Sequence, residues 1–223
     1  MTGEPRRFCL LAEFLVAIVL LGAASAGRAS DAETRRFQIF IDNRPAGSYY
    51  MSFSERADGS IAVSERADVR IRYLLISYHY SYRGTEVWKD GRLLQLDANS
   101  DDDGKRFSVA ARAEAESLRV VVNGQESRLP KDVWPTSAWR LPDAKHRNGQ
   151  IAVLDVDTGR QLAGNISHVG TSRLNVAGAV EDCVHYRITG GVQIDAWYDA
   201  QERLVRQEAV DDGHHVRWEL RSR

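Results

Sequence analysis

From Phe37 onward, apolar side chains return at every second position, and a period of two over so long a stretch leaves β-strands as the repeating element. Phe37, Ile39 and Ile41 share one face, followed by Tyr49, Met51 and Phe53. Ile61 and Val63 lead to Val69, Ile71 and Tyr73, after which Tyr78, Tyr80 and Tyr82 share a side opposite His79, Ser81 and Arg83. The alternation resumes in Val109, Ala111 and Ala113, in Val120 and Val122, in Ile151 and Val153, in Val184, Tyr186 and Ile188, in Ile194 and Ala196, and in Val216, Trp218 and Leu220. Asp-Gly pairs at 58–59 and 90–91 are hairpin turn signals. The stretch from Phe107 to Leu118 contains helix formers, but its alternation favours a strand. Leu129 to Arg147 breaks the pattern with Pro130, Pro135 and Pro142, and proline cannot donate to a sheet ladder. It reads as a crossing segment between two meanders. The expected fold is all-β, a strongly curved antiparallel sheet forming an open or partly closed barrel of β-meanders with roughly ten or more strands.

The start of the chain has a different grammar. Arg6 and Arg7 precede an apolar run from Phe8 to Leu21, broken only by Glu13, and then come small residues from Gly22 to Ala26. This order predicts a helical signal peptide over residues 1–26, cleaved after an Ala-x-Ala site at Ala26. The run falls short of the roughly 20 apolar residues of a membrane span, which disfavours a retained anchor. Residues 27–36 read as a flexible lead-in and 37–223 as a single β-rich domain, periplasmic or secreted. Cys9 would leave with the leader, so that Cys183 has no intramolecular disulfide partner. A net charge of −1, with both signs interspersed, gives no basic stripe and argues against a nucleic-acid partner.

Catalytic signatures are sparse. No Gly-x-Ser-x-Gly elbow, phosphate loop or dinucleotide fingerprint occurs, so catalysis is not expected, and a hydrolase using Ser137 with a histidine is the weakest of the functional readings. Asn99, Asp101 and Asp103 imitate the first half of a calcium loop, but Ala110 stands where the bidentate Glu belongs. The run reads better as a solvated hairpin turn. Cys183 and His185 alternate onto one face, yet two ligands do not make a metal site, and no cofactor is expected. What remains is aromatic surface. Tyr78, Tyr80, Trp88, Trp134, Trp139 and Trp197 are the candidate ligand-binding residues, because concave, largely apolar linings are how small-molecule sites are built. Their alternative role is ordinary core packing.

The run Ile41-Asp42-Asn43-Arg44-Pro45-Ala46-Gly47, the segment Tyr78 to Tyr82 followed by Glu86-Val87-Trp88-Lys89-Asp90-Gly91-Arg92-Leu93, the Asp101 to Gly104 turn, Pro135 to Trp139, and Trp197-Tyr198-Asp199 with Arg203-Leu204-Val205 resemble a family of uncharacterised bacterial exported proteins, a domain of unknown function. The resemblance implies a curved sheet and an exported setting, and carries over no catalytic residue. In architecture alone the chain is more distantly similar to half-barrel carriers of lipids and lipoproteins. The expected function is therefore a non-catalytic binding protein of the cell envelope that holds a lipid or another apolar molecule on its concave face. The alternative is a structural adaptor that meets an envelope protein through a sheet edge or the Trp134 to Trp139 segment.

Overall fold

The computed structural model describes residues 33–73 and 76–223. The signal peptide expected over 1–26 lies outside the described residues. Among the described residues fifteen strands follow in order: β1 Thr34–Ile41, β2 Arg44–Glu55, β3 Ile61–Tyr73, β4 Ile76–Lys89, β5 Arg92–Asp102, β6 Lys105–Ala113, β7 Ser117–Val122 and β8 Gln125–Pro130 make the first meander. A crossing segment holds the two-residue β9, Trp134–Pro135, and a 3-10 turn at Ala144–His146. The second meander is β10 Gly149–Leu154, β11 Gln161–Val176, β12 Ala179–Gly190, β13 Ile194–Tyr198, β14 Leu204–Asp211 and β15 His214–Ser222. All fifteen belong to one sheet that begins with β8, runs back to β1, passes directly to β15 and ends with β10 and β9. The sheet curls without closing into a barrel, the open one of the two forms that the pattern allows.

Order begins earlier than the sequence pattern indicates. Residues 34–36 fall in the stretch read as a flexible lead-in, but they are strand, paired with Tyr50 to Ser52 of β2. The physical reason is Arg35, only 2% exposed, whose guanidinium lies 4.2 Å from the Phe53 ring and donates to the Trp139 carbonyl at 2.9 Å. An arginine that buries its stem and satisfies its head continues the inward alternation as an apolar residue would.

Tight hairpins impose the meander. Asp90-Gly91, Asp103-Gly104, Asn123-Gly124, Ala177-Gly178 and Asp212-Gly213 all have positive φ at both central residues, the conformation whose twist matches the flanking strands. The resulting register aligns the inward positions into layers. One layer runs Phe37, Tyr49, Ala67, Tyr82, Ser100 and Phe107 across β1 to β6. The next runs Met51, Glu65, Gly84, Ala98 and Val109.

The crossing segment closes one end of this curl. Val133, Trp134, Ala138, Trp139 and Leu141 are all buried, and Trp139 meets Trp88 edge-on at 5.6 Å and Phe53 at 5.3 Å. The β10–β11 turn closes the side. Ser100 Oγ donates to the Asp157 carbonyl at 2.6 Å, and Gln161 donates to Ser127 across the gap between the two ends of the sheet. Gly159 presses so closely here that an added Cβ would lie 2.2 Å from Val122 Cγ2.

Candidate functional site

What the plug leaves unfilled is a cavity of about 700 Å³. Its floor is Tyr49, Tyr82, Thr136, Ser137, Gln207 and Trp218, and its mouth is ringed by Tyr78, Asp102, Lys105, Arg160, Gln193 and Asp211. Trp218 and Tyr49 pack with ring centroids 4.5 Å apart, so a continuous aromatic wall joins β15 to β2. The volume falls within the few hundred to a thousand Å³ typical of small-molecule sites.

Buried carboxyl groups surround this space. Behind the floor, Glu65 sits opposite Gly84 in the register, and a Cβ on Gly84 would lie 2.2 Å from the Tyr82 hydroxyl oxygen. The missing side chain lets the Tyr82 hydroxyl cross and donate to Glu65 at 3.2 Å. Burial, reinforced by the charge of Glu86, drives Glu65 well above the usual carboxylate range. Glu86, with no exposed surface, accepts from Trp88 Nε1 at 2.6 Å, Ser137 Oγ at 2.7 Å and Trp139 Nε1 at 3.2 Å. Burial nonetheless raises its pKa, the three donors opposing the rise.

The upper wall carries a different carboxyl. Asp157, on the β10–β11 turn, lies beside the Tyr80 phenol and lines the cavity. Desolvation, with repulsion from Asp155, Asp211 and Asp102, pushes it up to about 7. Tyr78, Tyr80 and Tyr82 are held above the ordinary phenol range, chiefly by burial, and remain hydroxyl groups at neutral pH.

The six aromatic candidates do not form one surface. Tyr78 and Tyr80 line the cavity. Trp88, on β4, and Trp134 and Trp139, on the crossing segment, are 5%, 3% and 7% exposed and pack together at the plugged end, where the proline-rich crossing turns its two rings inward instead of displaying them. The Trp134 to Trp139 segment therefore presents no aromatic patch to a partner. Trp197 alternates with inward Ala196 and Tyr198, faces away from the cavity, and stacks on His185 at 4.2 Å. Cys183 shares that outer side, where burial pushes its thiol up to about 11.

Ser137, the candidate hydrolase residue, gives its hydroxyl hydrogen to Glu86, and among the described residues no histidine bonds to it. Asp101 accepts the Gly104 amide at 2.7 Å and Arg106 at 2.9 Å, the turn chemistry expected of that acidic run, with Asp103 in the left-handed region. Asn99 pairs in register with Ser108 on the neighbouring strand. Among the described residues no cluster of three or more His, Cys, Asp or Glu side chains is placed to hold a metal ion.

Gln207 and Asp157 are among the lining residues that the sequence pattern does not single out. Gln207 carries a signal, being a polar residue at an inward position of β14 between Leu204 and Ala209. Asp157 carries none, since an aspartate in a turn is unremarkable until the turn is seen folded inward.

The model of a family described as a domain of unknown function, DUF6134, matches residues 37–221. No curated protein matches the chain. Among solved structures, the beta-barrel-like protein of domain of unknown function DUF1849 from Brucella abortus has a similar fold, with a TM-score of 0.62 at 11% identity. The match covers 85% of this chain and 95% of that one.

Proposed function

The chain belongs to the DUF6134 family, and we propose that it is a binding protein which holds a small amphipathic molecule in the open end of its curled sheet. The observation that carries this reading is the cavity of about 700 Å³ itself, one of whose lining residues, the buried Gln207, has an amide oxygen with no hydrogen-bond partner. Gln207 is 6% exposed, and a buried acceptor left unmade costs about 1–3 kcal/mol, a cost that a bound donor removes. The mixed lining favours an amphipathic molecule over a wholly apolar lipid: phenols, carboxyls and amides stand beside Trp218, Ile194, Val216 and Leu162. Binding without catalysis is the role proposed, since the Ser137 hydroxyl is committed to Glu86. The leader pattern at residues 1–26 adds an exported setting to the proposal.

Native mass spectrometry of the protein, purified gently from cells that make it, tests the reading. The expected result is a small-molecule adduct released on denaturation and absent from Ala209→Phe, which fills the cavity wall. A clean apo mass for the natural chain, with no displaceable small molecule in the purified sample, would overturn it.

A further inference from the structure

The charges around the cavity do not balance. Asp102, Asp155, Asp157 and Asp211 line it, against Lys105 and Arg160. Arg160 is committed to Asp155 through two contacts of 3.2 Å, and the Lys105 ammonium lies 5.2 Å from the Phe107 ring centre. Among the described residues, none of Asp102, Asp157 and Asp211 forms an ion pair; Asp102 accepts only the neutral Tyr78 hydroxyl, at 2.7 Å. Their mutual repulsion is part of what raises the Asp157 pKa. Independently, the one lining side chain with an unpartnered buried atom among the described residues is Gln207, and that atom, Oε1, is an acceptor and therefore asks for a donor. The floor also offers the rings of Trp218 and Tyr49, a surface suited to the apolar body of a cation.

We propose that the molecule held in this cavity is an amphipathic amine, its ammonium drawn to the unpaired carboxylates of the upper wall, with Asp157 as principal counter-charge, and its body against Trp218 and Tyr49. This rests on the cavity reading above and narrows it to a class of ligand. A neutral alcohol of the same skeleton can donate to Gln207 but leaves the carboxylates unpaired. A carboxylic acid would add another negative charge.

Matched probes separate these cases: tryptamine with tryptophol, phenethylamine with phenethyl alcohol, and octylamine with octanol, titrated into the full chain by calorimetry at pH 8. The expected result is that amines of the series bind about tenfold or more tightly than their alcohols, the scale of one charge-assisted contact. Asp157→Asn should erase that preference while leaving alcohol binding in place. Alcohols that bind as well as their amines, or a preference that survives Asp157→Asn, would overturn the amine assignment and leave the cavity reading standing. If no probe binds and the native mass is clean, both fall together.

Discussion

Glu86 Oε2, on β4, accepts the indole N–H of Trp139 at 3.2 Å from a residue 53 positions further along the chain, and so ties the sheet to the segment that plugs it. The same carboxyl accepts from Trp88 and Ser137, so three buried donors converge on one side chain. Burying a carboxyl is unfavourable unless its partners are in place, and here they are. The plug is thereby located by a polar anchor inside an apolar packing layer.

Glu86→Ala should therefore be among the most destabilising single changes in the molecule. It strands two indole N–H groups and a hydroxyl in the interior, at about 1–3 kcal/mol per unsatisfied group before any cavity cost. A loss of about 3 kcal/mol or more in urea denaturation is expected. A loss below about 1 kcal/mol, the scale of an ordinary surface change, would show that the anchor does not hold the plug.

Gly159→Ala should loosen the seam between the two ends of the sheet. Gly159 sits at φ +71 with Val122 Cγ2 where a Cβ would be, so the substitution combines backbone strain with overlap against a stiff β-branched side chain. Together these predict a loss of about 2–4 kcal/mol. Gly124→Ala is the control, because it also has positive φ but nothing within 4 Å of the added Cβ. Equal melting temperatures for the two variants would remove the case for a tightly packed seam.

The pH dependence of stability carries the signature of Asp157. Its carboxyl is raised from the ordinary aspartate value of 3.8 to about 7 by burial and by neighbouring carboxylates. The folded state thus keeps a proton that the unfolded state releases between those values. This contribution to stability is fully present at low pH and is lost as pH rises through about 7. Asp157→Asn, which cannot ionise, should gain in melting temperature relative to the natural chain at pH 8 and gain much less at pH 4. A difference that is the same at both pH values would be inconsistent with the raised pKa.

The strands were legible because a half-buried sheet imposes period two on its side chains, and the Asp-Gly turns marked where several hairpins fold back. The proline-rich crossing was legible for the complementary reason. Its inward packing was not, since proline excludes Pro130, Pro135 and Pro142 from a ladder interior without saying where Trp134 and Trp139 will point. Arg35 was misread because a charged residue interrupts an apolar count even when its head is satisfied indoors. The cavity itself has no sequence signature: a void is the side chains that are not there, and it emerges only when register brings Gly84 opposite Glu65 and leaves Tyr82 room to cross. Tyr78 and Tyr80 face the concave side, whereas residue type alone puts Trp197 there and its strand phase puts it on the other face.

The pairing of β1 with β15, from Phe37 opposite Leu220 to Ile41 opposite Val216, stands in the middle of the sheet and not at its rim. Every other junction in the strand order joins neighbours along the chain, all of them antiparallel hairpins except the short parallel β9–β10 pair, so two half-sheets can assemble by successive local pairings. Each half then waits with one inner edge bare, β1 on one and β15 on the other. Joining them is a single long-range event that requires nearly the entire polypeptide, and loop closure over such a separation is what slows the folding of β proteins. Until β15 arrives, the exposed margin of β1 is the strand most open to pairing with another molecule, which makes this junction both the slow step of assembly and the point where aggregation competes with it.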